Sequence, residues 1–239
     1  MRRPRSAGAF RFLREWAPTL FIAGLLLCFG LIAQEVTEGE PIAFDHWLML
    51  ALRQTSDLSL PIGRRWLLEV ARDVTALGST IVLAIILLVV TLYLFAAGKR
   101  RAGWFVLATI LSGTALNSLL KLGFARPRPD LVTHLTQVST LSFPSGHAAL
   151  SAICYLTLGA MLAQTQASRA IRIHFIVTAI LLTLLVGVSR VYLGVHYPTD
   201  VLAGWCIGIA WALICWTVMT HFQRSGEIEP PTGQTGPGK

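Results

Sequence analysis

Six stretches of this chain carry no Asp, Glu, Lys or Arg: residues 18–33, 74–97, 102–120, 148–163, 173–188 and 201–220. They constrain the fold more than any other feature. A helix crossing the hydrocarbon core of a bilayer needs about 20 apolar residues, with a range of roughly 17–25. The second, third and sixth runs meet that length alone, and the other three, of 16 residues each, meet it by borrowing flanking residues. No run alternates with period 2, so helices are the way to satisfy backbone groups in lipid. Of the 239 residues 54% are hydrophobic and 13% charged, against about 25% charged in soluble domains. That excludes an ordinary cytosolic globule, a disordered chain or a nucleic-acid-binding domain. The expected fold class is all-α: a polytopic membrane helix bundle of six transmembrane helices with an interfacial amphipathic segment between the first two.

Charge places this bundle in the bilayer. The formal net charge is +8, from 20 Lys+Arg against 12 Asp+Glu. With the N-terminus inside, twelve cations fall in cytoplasmic segments and eight outside. The tight clusters, five arginines up to Arg14 and Lys99-Arg100-Arg101, are then both inside, as the positive-inside rule asks. The chain divides into a basic cytoplasmic N-terminus (1–17), a membrane-embedded domain (18–222) and a Pro- and Gly-rich cytoplasmic tail (223–239) expected to be disordered. Leu31 and Ile32 make a poor cleavage site before Ala33, so the first run is expected to stay as a signal-anchor helix.

Between the first two spans lies an outer segment, 34–73. Phe44, Trp47, Leu48, Ala51 and Leu52 follow the i, i+3, i+4, i+7, i+8 spacing of a helical stripe, with Asp45 and Arg53 off it. A helix in the outer interface fits, as does one packed over the bundle mouth. Cys28, Cys154, Cys206 and Cys215 sit in apolar runs without metal-ligand spacing and are expected to be buried small hydrophobes. No internal repeat is present.

Drawing the topology brings three polar clusters to the outer ends of the spans. Lys121 precedes LGFARP and Arg128-Pro129; Pro144-Ser145-Gly146-His147 opens the fourth span; Ser189-Arg190, His196 and Asp200 join the fifth and sixth. Lys121, Arg128 and Arg190 can neutralise a phosphate dianion, and guanidinium groups suit its paired oxygens. Pro144-Ser145-Gly146 before an apolar run reads as a helix N-cap turn, where free N–H groups favour an anion. Asp200, four residues after His196, can hold one imidazole nitrogen and leave the other free as a nucleophile. His147 is then available as the acid that protonates a leaving oxygen. Near these clusters Asp130 and Asp200 are the acids, too few for a Mg²⁺ site built from carboxylates. A metal-free route with no cofactor is expected, with cations stabilising the charge.

Each piece has a plainer explanation. Lys121, Arg126 and Arg128 alone could snorkel or touch lipid headgroups; Ser145 could be just a cap; Asp200 could serve a helix dipole. His174 and His221 suit an interface, His46 and His134 suit solvent, and Asp73 suits a cap or a lid contact. The conjunction of three complementary clusters on one face outweighs these separate explanations.

The same residues resemble the type 2 phosphatidic acid phosphatase family, the membrane branch of the acid phosphatase and vanadium-dependent haloperoxidase superfamily. Its signatures K-x6-R-P, P-S-G-H and S-R-x5-H-x3-D read here as KLGFARPRP, PSGH and SRVYLGVHYPTD, complete and in order over 121–200. The resemblance implies that His196 attacks phosphorus, Asp200 supports it and His147 protonates the leaving group. It also implies that Lys121, Arg128, Ser145, Gly146 and Arg190 hold phosphate oxygens, while Arg126 falls in a variable position.

The expected function is an integral membrane phosphatase. Its partners would be the bilayer and a lipid phosphate or diphosphate of the phosphatidate, phosphatidylglycerol phosphate, undecaprenyl diphosphate or lipid A phosphate type. Its site would lie on the periplasmic face of a bacterial inner membrane. The alternatives are a phosphotransferase to a lipid or sugar acceptor and a non-catalytic lipid transporter; a vanadate-loaded peroxidase shares the site but not the spanning helices. The sequence names neither the particular lipid nor the oligomeric state.

Overall fold

The computed structural model describes residues 6–138 and 140–228. Eight helices follow in order: α1 (Ser6–Glu38), α2 (Ala43–Ala51), α3 (Arg65–Ala76), α4 (Thr80–Ala96), α5 (Arg100–Phe124), α6 (Gly146–Gln164), α7 (Arg169–Tyr192) and α8 (Pro198–Arg224). Between α2 and α3 lies a small antiparallel hairpin of β1 (Arg53–Gln54) and β2 (Asp57–Pro61), with Arg53 opposite Pro61. The class is all-α, as the uncharged runs require. Five helices are long and apolar enough to cross a membrane: the Trp16–Glu38 part of α1, and α5 to α8. Large apolar side chains such as Ile81, Leu119 and Leu122 project outward, 66–74% exposed, as a lipid-facing surface should.

The second expected span differs from its sequence reading. Residues 74–97 do not form one helix; the chain bends by 45° between α3 and α4, and the bent pair is a sixth candidate span when counted as one broken crossing. Ser79 caps α4 by accepting from the Val82 N–H at 3.3 Å. The Leu77 carbonyl freed by the break accepts the Tyr155 hydroxyl at 2.7 Å. At Gly78 any side chain would collide with Val186, and its Cβ would stand 3.3 Å from the His147 ring. The break therefore serves as a wall beside His147, which no local hydropathy signal reports.

α6 is the central helix, packed against α7 on one side and α8 on the other. More than half its residues are buried, mostly Ala, Ser, Gly and other small side chains. Gly204 and Gly208 of α8 lie so close to it that added Cβ atoms would stand 2.7 Å from the Ser145 carbonyl and 2.6 Å from the Ala149 carbonyl. Small residues four apart let membrane helices approach closely. Here they seat the start of α8 against the start of α6, where the second and third motif clusters lie. On the outside of that pair, Phe143 is fully buried and stacks on Phe29 of α1 at 5.8 Å and on Phe124 at 4.9 Å edge-on. That aromatic knot fixes the 125–145 loop over the bundle end.

Three further expectations are corrected. The apolar stripe of α2 faces outward, with Phe44 44% and Trp47 64% exposed, while Asp45 on the polar side is fully buried. The side of α2 that carries Asp45 is thus turned toward the bundle. Arg53, one of the eight cations placed outside, is buried and donates to the Leu52 and Tyr192 carbonyls at 3.1 and 3.0 Å. Of the four cysteines only Cys154 is buried, and Cys28 is exposed on α1; an apolar thiol in a membrane helix can face lipid at no cost. Residues 225–228 fall within the segment expected to be a tail. Ser225–Ile228 turns back onto α5, Arg101 donates to the Glu227 carbonyl at 2.8 Å, and Ile228 packs with Ala102 and Met219. Residues 1–5 and 229–239 lie outside the described residues.

Candidate active site

A cavity of about 630 Å³ opens at the bundle end where α5 and α7 finish and α6 and α8 begin. It is lined by Lys121, Arg128, Gly146, His147, Arg190 and His196, from all three sequence clusters. The two remaining candidates stand directly behind: the Ser145 N–H donates to the Asp200 carbonyl at 2.9 Å. Ser145 is the N-cap residue of α6, as expected, but its hydroxyl caps nothing and is buried without a partner.

His196 is almost fully buried in the short loop between α7 and α8. Its Nδ1 lies 3.3 Å from Asp200 Oδ2, the geometry of an N–H donated to a carboxylate. That assigns the free lone pair to Nε2, and Arg128 Nη1 stands 3.2 Å from it, inside the cavity. Asp200 is held by three more donors: the Tyr197 N–H at 2.9 Å, the Ser142 hydroxyl, and Arg126 Nη1 at 2.7 Å. Burial pushes the imidazole of His196 down from the usual 6.5 to about 3; Asp200 pulls it up, and Arg128 and Arg190 push it further down. The ring is therefore neutral at physiological pH, as a nitrogen nucleophile must be.

The shift has a sign that can be checked. Between pH 6.5 and about 3 the unfolded chain binds a proton at His196 that the folded chain does not, so this group's contribution to stability falls as pH falls through that window. We expect the melting midpoint of the detergent-solubilised protein to drop on acidification. The drop should be shallower in His196→Asn, and equal slopes would show that His196 does not carry the dependence.

The three cations of the cavity have neutral partners. Lys121 Nζ donates to the Leu141 carbonyl at 2.6 Å. Arg128 donates to the carbonyls of Thr140 at 2.6 Å and Val195 at 2.5 Å. Arg190 Nη1 donates to Thr75 Oγ1 at 2.9 Å, and its Nε is buried without a partner. Among the described residues none of the three lies in an ion pair. Carbonyl and hydroxyl oxygens orient the cations without neutralising them. Burial also lowers the Arg128 pKa from its ordinary value. Three like charges around one cavity repel one another, and an anion placed between them relieves that repulsion.

Arg126, assigned no role from sequence, turns away from the cavity and ties the site to α2. Its Nη1 reaches Asp200 Oδ1 at 2.7 Å and Thr199 Oγ1 at 2.9 Å, its Nη2 reaches Asp45 Oδ2 at 3.0 Å, and its Cζ lies 4.0 Å over the Tyr197 ring. Asp45 in turn accepts the Thr199 N–H at 2.8 Å and its hydroxyl at 2.6 Å. A lone acid on an amphipathic helix in an acid-poor chain was the available signal for this pairing. Thr75 and Thr140, which orient Arg190 and Arg128, carried no signal. Asp73 is exposed on α3 and does not cap α4. His134 is exposed, with Nε2 2.6 Å from the Pro129 carbonyl. Among the described residues no three His, Cys, Asp or Glu side chains gather in a group able to hold a metal ion.

A family model, the PAP2 superfamily, matches residues 102–224. Phosphatidylglycerophosphatase B of Bacillus subtilis is 33% identical over 156 residues, 64% of this chain and 76% of that protein. The undecaprenyl-diphosphatase of Sulfolobus acidocaldarius is 30% identical over 125 residues, 50% of this chain and 56% of that protein, so the chain spans just over half of that relative. The crystal structure of a transmembrane PAP2 type phosphatidylglycerolphosphate phosphatase from Bacillus subtilis superimposes with a TM-score of 0.75 at 28% identity, covering 85% of this chain and 98% of that one. With more than half its length matching the family and its helices following the same path, the chain belongs to the PAP2 superfamily and is an integral membrane lipid phosphatase.

Proposed function

We propose that the protein removes phosphate from a lipid phosphate monoester or diphosphate on the periplasmic face of a bacterial inner membrane, through a phosphohistidine on His196 and without a metal ion. The observation that carries this reading is the convergence of three unneutralised cations on one cavity with a neutral, carboxylate-supported imidazole. In the first step His196 Nε2 forms a bond to phosphorus and the P–O bond to the lipid breaks. The bound phosphate dianion favours the imidazolium form of His147, and the leaving oxygen takes the electron pair together with that additional proton. In the second step a water molecule gives a proton to His147 and attacks phosphorus. The P–N bond breaks, and inorganic phosphate leaves with His196 neutral again. Lys121, Arg128, Arg190, the Ser145 hydroxyl and the N–H groups at Gly146 hold the phosphoryl oxygens throughout. A metal is not needed for charge stabilisation when cations already occupy that position, and the buried carboxylates Asp45 and Asp200 are committed to Arg126.

Sidedness rests on α5, whose two ends carry different chemistry. Lys99-Arg100-Arg101 stands at its start and Lys121 at its end, so inside placement of the basic triplet puts the cavity outside. Arg72, Thr136 and Gln137 at the cavity rim come from the outer segments 34–73 and 126–143, and they are placed to meet the head group. The test uses the purified full chain in detergent with EDTA, against phosphatidate, phosphatidylglycerol phosphate, undecaprenyl diphosphate and lipid A phosphates. Phosphate release from at least one lipid, with an acid-labile phosphoenzyme trapped on rapid quenching, is expected. Strict dependence on added Mg²⁺, or transfer of the phosphate wholly to an acceptor alcohol, would overturn the metal-free hydrolytic route.

A further inference from the structure

The cavity wall holds one polar side chain that the motifs do not include. Asn117 lies on α5 one turn before Lys121, within a row of polar residues, Thr114, Asn117, Ser118 and Lys121, at the i, i+3, i+4, i+7 positions of one helix face. Two of these satisfy themselves locally: Thr114 donates to the Ile110 carbonyl at 2.8 Å and Ser118 to the Thr114 carbonyl at 2.9 Å. Asn117 does not. It is 5% exposed, lines the cavity, and its Oδ1 is buried without a partner. Its Nδ2, the donor end, has no acceptor among the described residues either. A polar group in that state costs free energy in a membrane helix unless something else binds it.

The position of Nδ2 says what that donor can bind. A Cβ built on Gly146 would stand 3.3 Å from Asn117 Nδ2 and 3.5 Å from Lys121 Cε, so the amide and the lysine stem border one point at the start of α6. Glycine leaves that point open. The helix N-terminus, the Lys121 ammonium and the unpartnered Ser145 hydroxyl surround the same region.

We infer that Asn117 is a substrate-contacting residue whose side-chain N–H donates to a phosphoryl oxygen beside Lys121 and the first turn of α6. The inference rests on the lipid phosphatase reading and adds a neutral donor to its cationic set. A neutral donor supplies orientation without lowering the charge of the phosphoryl group.

The test measures binding of inorganic orthophosphate to the purified full chain by calorimetry, together with KM and kcat on whichever lipid the wild type hydrolyses. Asn117→Leu, of similar size, should melt at the wild-type temperature or above, since no protein hydrogen bond is lost. It should weaken orthophosphate binding about 10- to 100-fold, the usual loss for one hydrogen bond to a charged acceptor, and raise KM in parallel. Asn117→Asp keeps the shape and adds a negative charge, so it should bind phosphate more weakly still. Wild-type orthophosphate affinity in both variants overturns the inference while leaving the phosphatase reading intact. So does a melting midpoint of Asn117→Leu well below wild type with unchanged KM, which marks a structural role. Failure of the wild type itself to bind orthophosphate or release it from any lipid overturns the parent reading instead.

Discussion

Replacing His196 with alanine is expected to leave the protein folded and to lower phosphate release by at least about 10³-fold, the scale of losing a nucleophile that acts as part of a unit. The fold should survive because Asp200, fully buried behind the ring, keeps its bonds from Arg126, Ser142 and the Tyr197 N–H when the imidazole goes. The activity should not, because among the described residues no second histidine paired with a carboxylate lines the cavity. His147 stands in the cavity too, but among the described residues no carboxylate bonds its ring to fix a tautomer. Asp200→Asn is the milder companion. It preserves shape and some of the donors' partners while removing the charge that orients Nδ1–H, so a fall of about 10²–10⁴ in kcat is expected by analogy with other carboxylate-supported histidines. Phosphate release measured on a thermally intact His196→Ala protein decides the matter. Retention of a tenth or more of wild-type activity would exclude His196 as the phosphorylated residue.

How much of this was legible in the sequence follows from the range of the forces involved. The later spans were readable because crossing a bilayer demands about 20 apolar residues in a row, a purely local condition. The break at 77–79 was not, because Gly78 and Ser79 are tolerated within an apolar span. What opens the helix there is the packing of Gly78 against Val186 and His147, far along the chain. The amphipathic pattern of 44–52 located α2 but left open which face meets protein. That choice was made by donors 81 and 154 residues away, Arg126 and Thr199, which draw Asp45 inward. The candidate site was readable as residue types at fixed spacing. The parts that escaped, Thr75, Thr140, Asn117 and the role of Arg126, act through contacts between segments that no spacing rule connects. Arg126 and Arg128 sit two residues apart in one motif and turn to opposite sides of the loop, one to a pair of carboxylates and one to the cavity.

The largest stability effect is expected at Arg126. Its guanidinium is the shared partner of Asp45 and Asp200, both wholly buried, and is itself 13% exposed in its side chain. Replacing it with methionine keeps the apolar stem over Tyr197 but leaves two buried carboxylates without their cation. Breaking a buried pair by removing one partner typically costs about 3–5 kcal/mol, much of it from the stranded charge. For a protein of this size that corresponds to a fall of roughly 10 °C in the melting midpoint. Because the orphaned charge is the source of the cost, adding Asp45→Asn to Arg126→Met should recover part of the loss, and the two changes should be far from additive in a double-mutant cycle. Arg126→Lys should fall between, since a single ammonium cannot reach Asp45, Asp200 and Thr199 together or lie flat on the tyrosine ring. Activity separates the two halves of the bridge. Asp45→Asn alone leaves the Arg126–Asp200 bond and should cost stability more than kcat, whereas Arg126→Met frees Asp200 to shift and should lower kcat as well. A wild-type melting midpoint for Arg126→Met, or strict additivity with Asp45→Asn, would mean that the guanidinium holds neither carboxylate in the membrane. The interfacial helix would then be seated by its lipid-facing aromatic residues alone.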